Sequence, residues 1–303
     1  MSFRHLGTDS GLGVADVQAI LQDAQGLVWI ATEVGLDRYD GVSFRHYGHR
    51  RGDAASLPGG TIVGMALDQS DRLWLATESG GLYRYDPRDE KFLAYRHDSA
   101  DPASLPSNRT TAIHVARDGT LWVGTDQGLS ALDVATGRFR NYRHQPTADG
   151  SLADDHVTAI AEDHAGAIWV GTHAGVDRLA AGRAAFDHHR AGAADGALSS
   201  DAVTALYVDR ADVLWVGTAD AGLNRYDRSG DRFTHYAADP RSATALSDPS
   251  VHTVLEDSEG RLWIGTSHGL DLMDRARGQF TTFLPNERDP HSLHDANINA
   301  LYE

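Results

Sequence analysis

The sequence predicts an all-β fold, a β-propeller of four-stranded antiparallel blades, on three observations. All six tryptophans, Trp29, Trp74, Trp122, Trp169, Trp215 and Trp263, recur at spacings of 45, 48, 47, 46 and 48 residues. Each is followed by an aliphatic residue, then Ala or Gly, then Thr (Thr32, Thr77, Thr125, Thr172, Thr218, Thr266). Shortly after each Thr a glycine precedes an aliphatic residue, at Gly35-Leu36, Gly81-Leu82, Gly128-Leu129, Gly175-Val176, Gly222-Leu223 and Gly269-Leu270. A period in this range marks a repeat architecture, in which a unit buries its apolar face only by stacking on its neighbours. The chain is therefore read as a single propeller domain, 1–303.

The repeat at 157–190 justifies each element in turn. Residues 157–163 (Val-Thr-Ala-Ile-Ala-Glu-Asp) alternate apolar and polar, the period of a strand. Asp163-His-Ala-Gly166 supplies a turn, with Gly free to take positive φ. Residues 167–172 are apolar on both faces and read as a buried second strand. A turn at 173–175 leads to a short third strand, 176–179; another turn leads to a fourth, 184–189, carrying Phe186. Four short strands joined by tight turns make one blade.

The other first strands are read at 17–23, 62–68, 112–117, 203–209 and 251–257. An acid stands six residues before Trp in five repeats (Asp23, Asp68, Asp163, Asp209, Asp257). The third repeat has Ala116 there and forms its turn from Asp118-Gly119. Fourth strands share Phe-x-x-aromatic or His, at Phe44/Tyr47, Phe92/Tyr95, Phe139/Tyr142, Phe186/His189, Phe233/Tyr236 and Phe280/Phe283. Polar links follow, for instance 98–105 and 238–246. At the ends, 2–6 reads as an orphan fourth strand and 296–302 as an orphan first strand. The expectation is six complete repeats plus the first and fourth strands of an incomplete seventh, a ring cut short near Glu303; a six-bladed ring with spare end strands is the alternative.

Composition narrows the partners. The chain is acidic, 27 basic against 43 acidic residues, with no Lys/Arg run. Phosphate-backbone binding needs a basic patch, so no nucleic-acid partner is expected, nor direct contact with an anionic membrane. No cysteine is present, which excludes disulfides and thiolate metal sites and suits an oxidising compartment. No apolar run reaches the length of a membrane span, and residues 1–7 lack the apolar core of a secretory signal.

The pattern Asp-x-x-Gly-x-Leu-Trp-[Ile/Val]-Gly-Thr-x-x-Gly-Leu-x-x-[Tyr/Leu]-Asp resembles the two-component regulator propeller repeat. The fit is close at 257–274 and again at 23–40, where Ala31 replaces a glycine. The link form Asp-Pro-x-Ser-Leu, followed within eight residues by Ile, also matches, at 101–113 and 289–298. The resemblance implies an extracytoplasmic, periplasmic sensor region of a bacterial receptor. In that family such regions are commonly followed by a β-sandwich, a membrane helix and a histidine kinase or diguanylate cyclase. None of those parts maps onto this sequence, so the chain reads as part of a longer receptor: an input module without catalysis or a cofactor of its own.

A position filled alike in every repeat serves the fold; one where a single repeat differs is a candidate for function. The tryptophans and phenylalanines are on this test packing between blades. His5, His46, His97, His144 and His235 read as solvated edge residues, and His188-His189 as a pair facing opposite ways. No His-Glu-x-x-His, Gly-x-Ser-x-Gly or phosphate-cradling loop occurs, and no metal is expected.

The better candidates lie where second-to-third turns meet the links entering first strands, since ligands sit where loops of several blades converge. The turns offer Glu33, Glu78, Asp126, Gln127, His173, Asp220 and His268; the links offer Asn108, Arg109, His156 and Asp201. Such a mixture suits a polar neutral or cationic small ligand, a carbohydrate for instance; ordinary solvated turns are the competing reading. Two other functions stay open: a lyase or hydrolase built from His173, His156, His268 and Glu78, and a protein-binding scaffold, which would need an apolar patch.

Overall fold

The computed structural model describes residues 2–14, 16–53 and 55–303. It contains six four-stranded antiparallel sheets, the blades of a propeller, each with its strands in chain order. Blade 1 comprises Val17–Gln22, Val28–Thr32, Gly35–Tyr39 and Phe44–Tyr47; blade 2, Ile62–Leu67, Leu73–Thr77, Gly81–Asp86 and Lys91–Tyr95. Blade 3 comprises Thr110–Val115, Leu121–Thr125, Gly128–Asp133 and Arg138–Tyr142; blade 4, Val157–Glu162, Ile168–Thr172, Gly175–Leu179 and Phe186–His189. Blade 5 comprises Val203–Val208, Leu214–Thr218, Leu223–Asp227 and Arg232–Tyr236; blade 6, Val251–Glu256, Leu262–Thr266, Gly269–Asp274 and Gln279–Phe283. Among the described residues the one helical element is a 3-10 turn, Thr8–Ser10. Chain packing separates two compact units: Leu6–Ile160, and Ala161–Glu303 together with the N-terminal segment to His5.

Second strands of blades 2 to 6 are buried at every residue, as an apolar run without alternation predicts. In every blade but the third, the turn before the second strand is built by the acid. In blade 4, Asp163 accepts the backbone N–H groups of Ala165 at 3.0 Å and Ala167 at 2.9 Å, and the Trp169 indole N–H at 3.1 Å. The indole bond recurs from Trp29, Trp74, Trp215 and Trp263 to Asp23, Asp68, Asp209 and Asp257. The glycine three residues after the acid is left-handed, as at Gly166, φ +78°. Asp71 and Asp212 take that conformation in blades 2 and 5, and their side chains reach the preceding blade's turn, at the N–H of Ala24 and of His164.

These carboxylates also bind arginine: Arg72 on Asp68, Arg228 on Asp163, Arg275 on Asp209 and Arg261 on Asp257. Burial pushes the carboxyls of Asp68, Asp163 and Asp257 up. Bonds from the indole, the guanidinium and backbone N–H groups outweigh it and hold all three below the ordinary range, Asp257 at about 2. A depressed folded-state value stabilises the fold above the unfolded value of about 3.9 and is lost as pH falls through the folded one. The contribution of these three carboxylates to stability is therefore expected to be complete above about pH 5 and to be lost from about pH 4 toward 2, so the melting temperature of Asp257→Asn is expected to fall less over that range than that of the unsubstituted chain.

Aromatic rings join blades within each unit. Trp29 meets Tyr85 at 5.1 Å between centroids, and Trp169 meets Tyr226 at 5.1 Å. The fourth-strand aromatic of one blade takes the Phe of the next edge-on: Tyr47 on Phe92, Tyr95 on Phe139, His189 on Phe233 and Tyr236 on Phe280. Glycine before the terminal Thr permits this approach. A Cβ on Gly124 would lie 2.6 Å from Val157 Cγ1, and one on Gly217 would lie 2.6 Å from Val251 Cγ1.

The links are tied down more than their polarity suggests. Each carries a buried leucine, Leu57, Leu105, Leu152, Leu198 or Leu246. His97 and His144, expected as solvated edge residues, instead hold the Leu105 and Leu152 carbonyls through Nδ1 at 2.7 Å. His235 Nε2 bonds the Ala197 carbonyl and His46 pairs with buried Asp37, so these edge histidines are structural. His188 and His189 do face opposite ways: one bonds Asp177 at 2.6 Å, the other stacks on Trp169.

In blades 1, 5 and 6 a second tie runs from the link to the third strand of the blade it enters. Gly13 N–H donates to Asp37 at 3.1 Å, Ser199 N–H to Asn224 at 3.1 Å, and Ser247 N–H and hydroxyl to Asp271 at 3.1 and 2.6 Å. In blades 2 and 3 the equivalent link residues are Pro58 and Pro106, which have no N–H. There the third strand carries Tyr83 and Ser130 instead of an acid or amide.

Neither terminal segment is a strand here. The N-terminal segment nonetheless lies against its unit through Phe3, whose N–H donates to His291 O at 2.9 Å and whose ring meets Phe283 edge-on at 6.2 Å. At the other end Ile298 N–H donates to Thr266 O at 3.0 Å, and Glu303 accepts the N–H and hydroxyl of Ser258.

Candidate ligand-binding rims

In every blade the turn after the second strand is built by its threonine. The hydroxyl donates to the carbonyl of the following glycine and accepts a turn N–H, as Thr125 does with Gly128 and Gln127. That turn then meets a link. Glu78 N–H bonds Thr61 O, Asp126 N–H bonds Arg109 O, Ala219 N–H bonds Ala202 O and Ser267 N–H bonds Ser250 O. The expected convergence of turns and links is thus fixed by backbone bonds, and it forms one rim in each unit.

In the Leu6–Ile160 unit the rim carries Glu33, Glu78, Asn108, Arg109, Asp126, Gln127 and His156. Glu33 and Gln127 are exposed, and His156 is half-buried with its N–H on Asp154. Glu78 and Arg109, both about half exposed, face each other at 3.9 Å. Asp126 is partly buried, and its Oδ1 is shut off from solvent with no hydrogen-bond partner. Asn108 is largely committed to the fold: its side chain caps His97 N–H at 2.8 Å and its carbonyl accepts Gly81 N–H at 2.8 Å.

In the Ala161–Glu303 unit, His173, Asp220 and His268 lie exposed on three separate turns. Asp201 repeats the role of Asn108, capping Ala191 N–H at 2.7 Å and accepting Gly175 N–H on its carbonyl at 3.1 Å. One residue outside the expected set belongs to this rim. His252 Nε2 lies 2.7 Å from Ser267 Oγ and 3.3 Å from Ser250 Oγ. Its equivalents are Gln18, Val63, Thr111, Thr158 and Thr204, so blade-to-blade difference at this position was the available signal. The Ser267–His252 contact has the geometry of a nucleophile and a base. The amides beside Ser267 are already engaged, its own with Ser250 O and that of His268 with Thr266 Oγ1, so neither is available to an oxyanion.

Among the described residues no group of three or more His, Asp or Glu side chains is placed to hold a metal ion, and no helix is long and apolar enough to cross a membrane.

No curated protein matches the chain. Among solved structures it superposes over its full length on the extracellular domain ascribed to a hybrid two component system of B. thetaiotaomicron, with a TM-score of 0.85 and 25% identity. A second extracellular domain of this kind from the same organism aligns over 99% of the chain at a TM-score of 0.78 and 21% identity. The chain spans 39% and 37% of those two longer chains. The fold is shared more distantly with virginiamycin B lyase from Staphylococcus aureus: TM-score 0.67 and 12% identity over 89% of this chain and 85% of that one. Five segments, 11–34, 104–127, 151–174, 197–220 and 245–268, match the two component regulator propeller. The chain thus carries five copies of the two component regulator propeller repeat.

Proposed function

We propose that the chain is the sensing part of a bacterial two-component-type receptor, working outside the cytoplasm, in the periplasm. It binds a small polar ligand at its rim and performs no chemistry itself. The observation that carries this reading is the full-length similarity to an extracellular domain of such a system. The rims support a binding role, since their charges are set on rigid, hydrogen-bonded turns while differing from blade to blade. Output passes to domains outside this sequence. The test is a thermal-shift screen of sugars, oligosaccharides and small metabolites. At least one compound is expected to raise the melting temperature by several degrees, with loss of the shift on changing Asp126 or His173 and retention on changing His97. A library without any hit, or hits indifferent to the rim substitutions, would refute the reading.

We further propose that the two terminal segments belong to a seventh blade. Three contacts support it. Phe3 meets Phe283 edge-on at 6.2 Å and donates to His291 O, as Phe139 meets Tyr95 at 6.2 Å and donates to Ala103 O. Ile298 Cγ2 would lie 2.7 Å from a Cβ on Gly265, as Val251 Cγ1 would from one on Gly217 at 2.6 Å. Glu303 accepts Ser258 N–H as Glu256 accepts Arg210 N–H.

A further inference from the structure

We infer that the rim between blades 2 and 3 is a zwitterion site, taking the α-ammonium and α-carboxylate of a free amino acid. The inference rests on the sensing reading above and deepens it. Five residues converge there: Glu78 on the blade 2 turn, Asn108 and Arg109 on the link, and Asp126 and Gln127 on the blade 3 turn. Backbone bonds hold all three segments together, Gly81 N–H to Asn108 O at 2.8 Å and Asp126 N–H to Arg109 O at 3.3 Å.

Two observations make this patch unlike the rest of the rims. Asp126 Oδ1 is a carboxylate oxygen removed from water and given no donor. An acceptor in that state costs stability, and the fold carries it without return unless something outside the chain supplies the donor. The second observation is charge of both signs at the same place. Arg109 stands where the other blades have Asp16, Thr61, His156, Ala202 and Ser250. Its guanidinium lies 3.9 Å from Glu78, too far for a hydrogen bond, and both side chains remain about half exposed. The guanidinium and the carboxylate thus keep capacity for a guest.

A ligand answering both features carries a cationic donor for Glu78 and, once the partly exposed Asp126 side chain turns toward the rim, for Asp126, together with a planar anion for Arg109. Charge-assisted bonds are about twice as strong as neutral ones, so an ammonium satisfies Asp126 better than a sugar hydroxyl. A bidentate carboxylate suits the guanidinium fork. In an α-amino acid the two groups sit on one carbon, which matches an acid and an arginine on adjoining backbone positions.

The experiment uses the purified chain in calorimetric titration and thermal shift against four probe sets: free L-amino acids, their amides (ammonium only), N-acetyl amino acids (carboxylate only) and neutral sugars. Free amino acids are expected to bind, with affinity falling at least about tenfold in either half-molecule. Asp126→Asn is expected to abolish binding while leaving the ligand-free melting temperature unchanged or higher, because it removes an unsatisfied carboxylate. Arg109→Gln is expected to weaken free amino acids but not their amides. Absence of amino-acid binding, binding retained in Asp126→Asn, or equal affinity for the half-molecules would overturn the inference. A sugar that binds and is lost with rim substitutions would also overturn it, while leaving the sensing reading intact. A lower ligand-free melting temperature in Asp126→Asn would assign that carboxylate to the fold and overturn the inference as well.

Discussion

Trp169→Ala is expected to destabilise the protein by about 3–5 kcal/mol, measured by denaturant unfolding. The indole is fully buried in blade 4 and touches Tyr226 of blade 5 at 5.1 Å and the His189 ring at 5.6 Å. Truncation opens a cavity between two sheets that cannot collapse without shearing past each other. It also removes the indole donor from Asp163, itself wholly buried, and the ring beneath the Arg178 guanidinium. Trp169→Phe separates the two losses. It keeps most of the ring volume and gives up the hydrogen bond, so it is expected to cost less, about 1–3 kcal/mol. Equal costs for the two variants would mean that the bond to Asp163, and not the packing, dominates.

Gly175→Ala is expected to cost about 2–5 kcal/mol by the same measurement. Its φ is +103°, where an L side chain is strained by about 1–2 kcal/mol. The new methyl would also lie 2.4 Å from the His189 carbonyl oxygen and 3.2 Å from Asp201 Oδ1, with overpacking adding about 1–3 kcal/mol. The bond from Gly175 N–H to Asp201 O, which anchors the next link, sits at the same point. Gly182 provides the comparison. It too is left-handed, φ +74°, but has nothing within 4 Å of an added Cβ, so Gly182→Ala is expected to cost only the backbone strain, about 1–2 kcal/mol.

The blades were legible because their signals are local. An acid, a left-handed glycine and an indole within seven residues specify one turn and the strand after it, and the fold repeats that unit. Where the acid is missing the boundary is blurred: the pattern places the first strand of blade 3 at 112–117 and the structure places it at Thr110–Val115, since Ala116 gives no marker of where the strand stops. The links are less legible. His97 and His144 look like surface residues because their partners, Leu105 O and Leu152 O, lie eight positions away around a loop. Asn108 and Asp201 look like rim chemistry for the same reason, although each caps an amide ten or eleven residues upstream. The charged turns were legible because adjacent repeats disagree there. That Glu78, Arg109 and Asp126 converge, and that Asp126 keeps an unanswered oxygen, depends on neighbouring sheets meeting, which no single repeat encodes.

The tie between a link and the third strand it enters has a consequence for how such an array can be recombined. Proline at 58 or 106 goes with Tyr83 or Ser130; an amide at 13, 199 or 247 goes with an acceptor at 37, 224 or 271. A crossover placed between link and sheet could set a proline against a carboxylate built to receive a proton donor, stranding a charge in a dry interior. The heritable module therefore begins at the link and closes with the edge strand, and duplication or shuffling that respects those cut points carries its own lock and key.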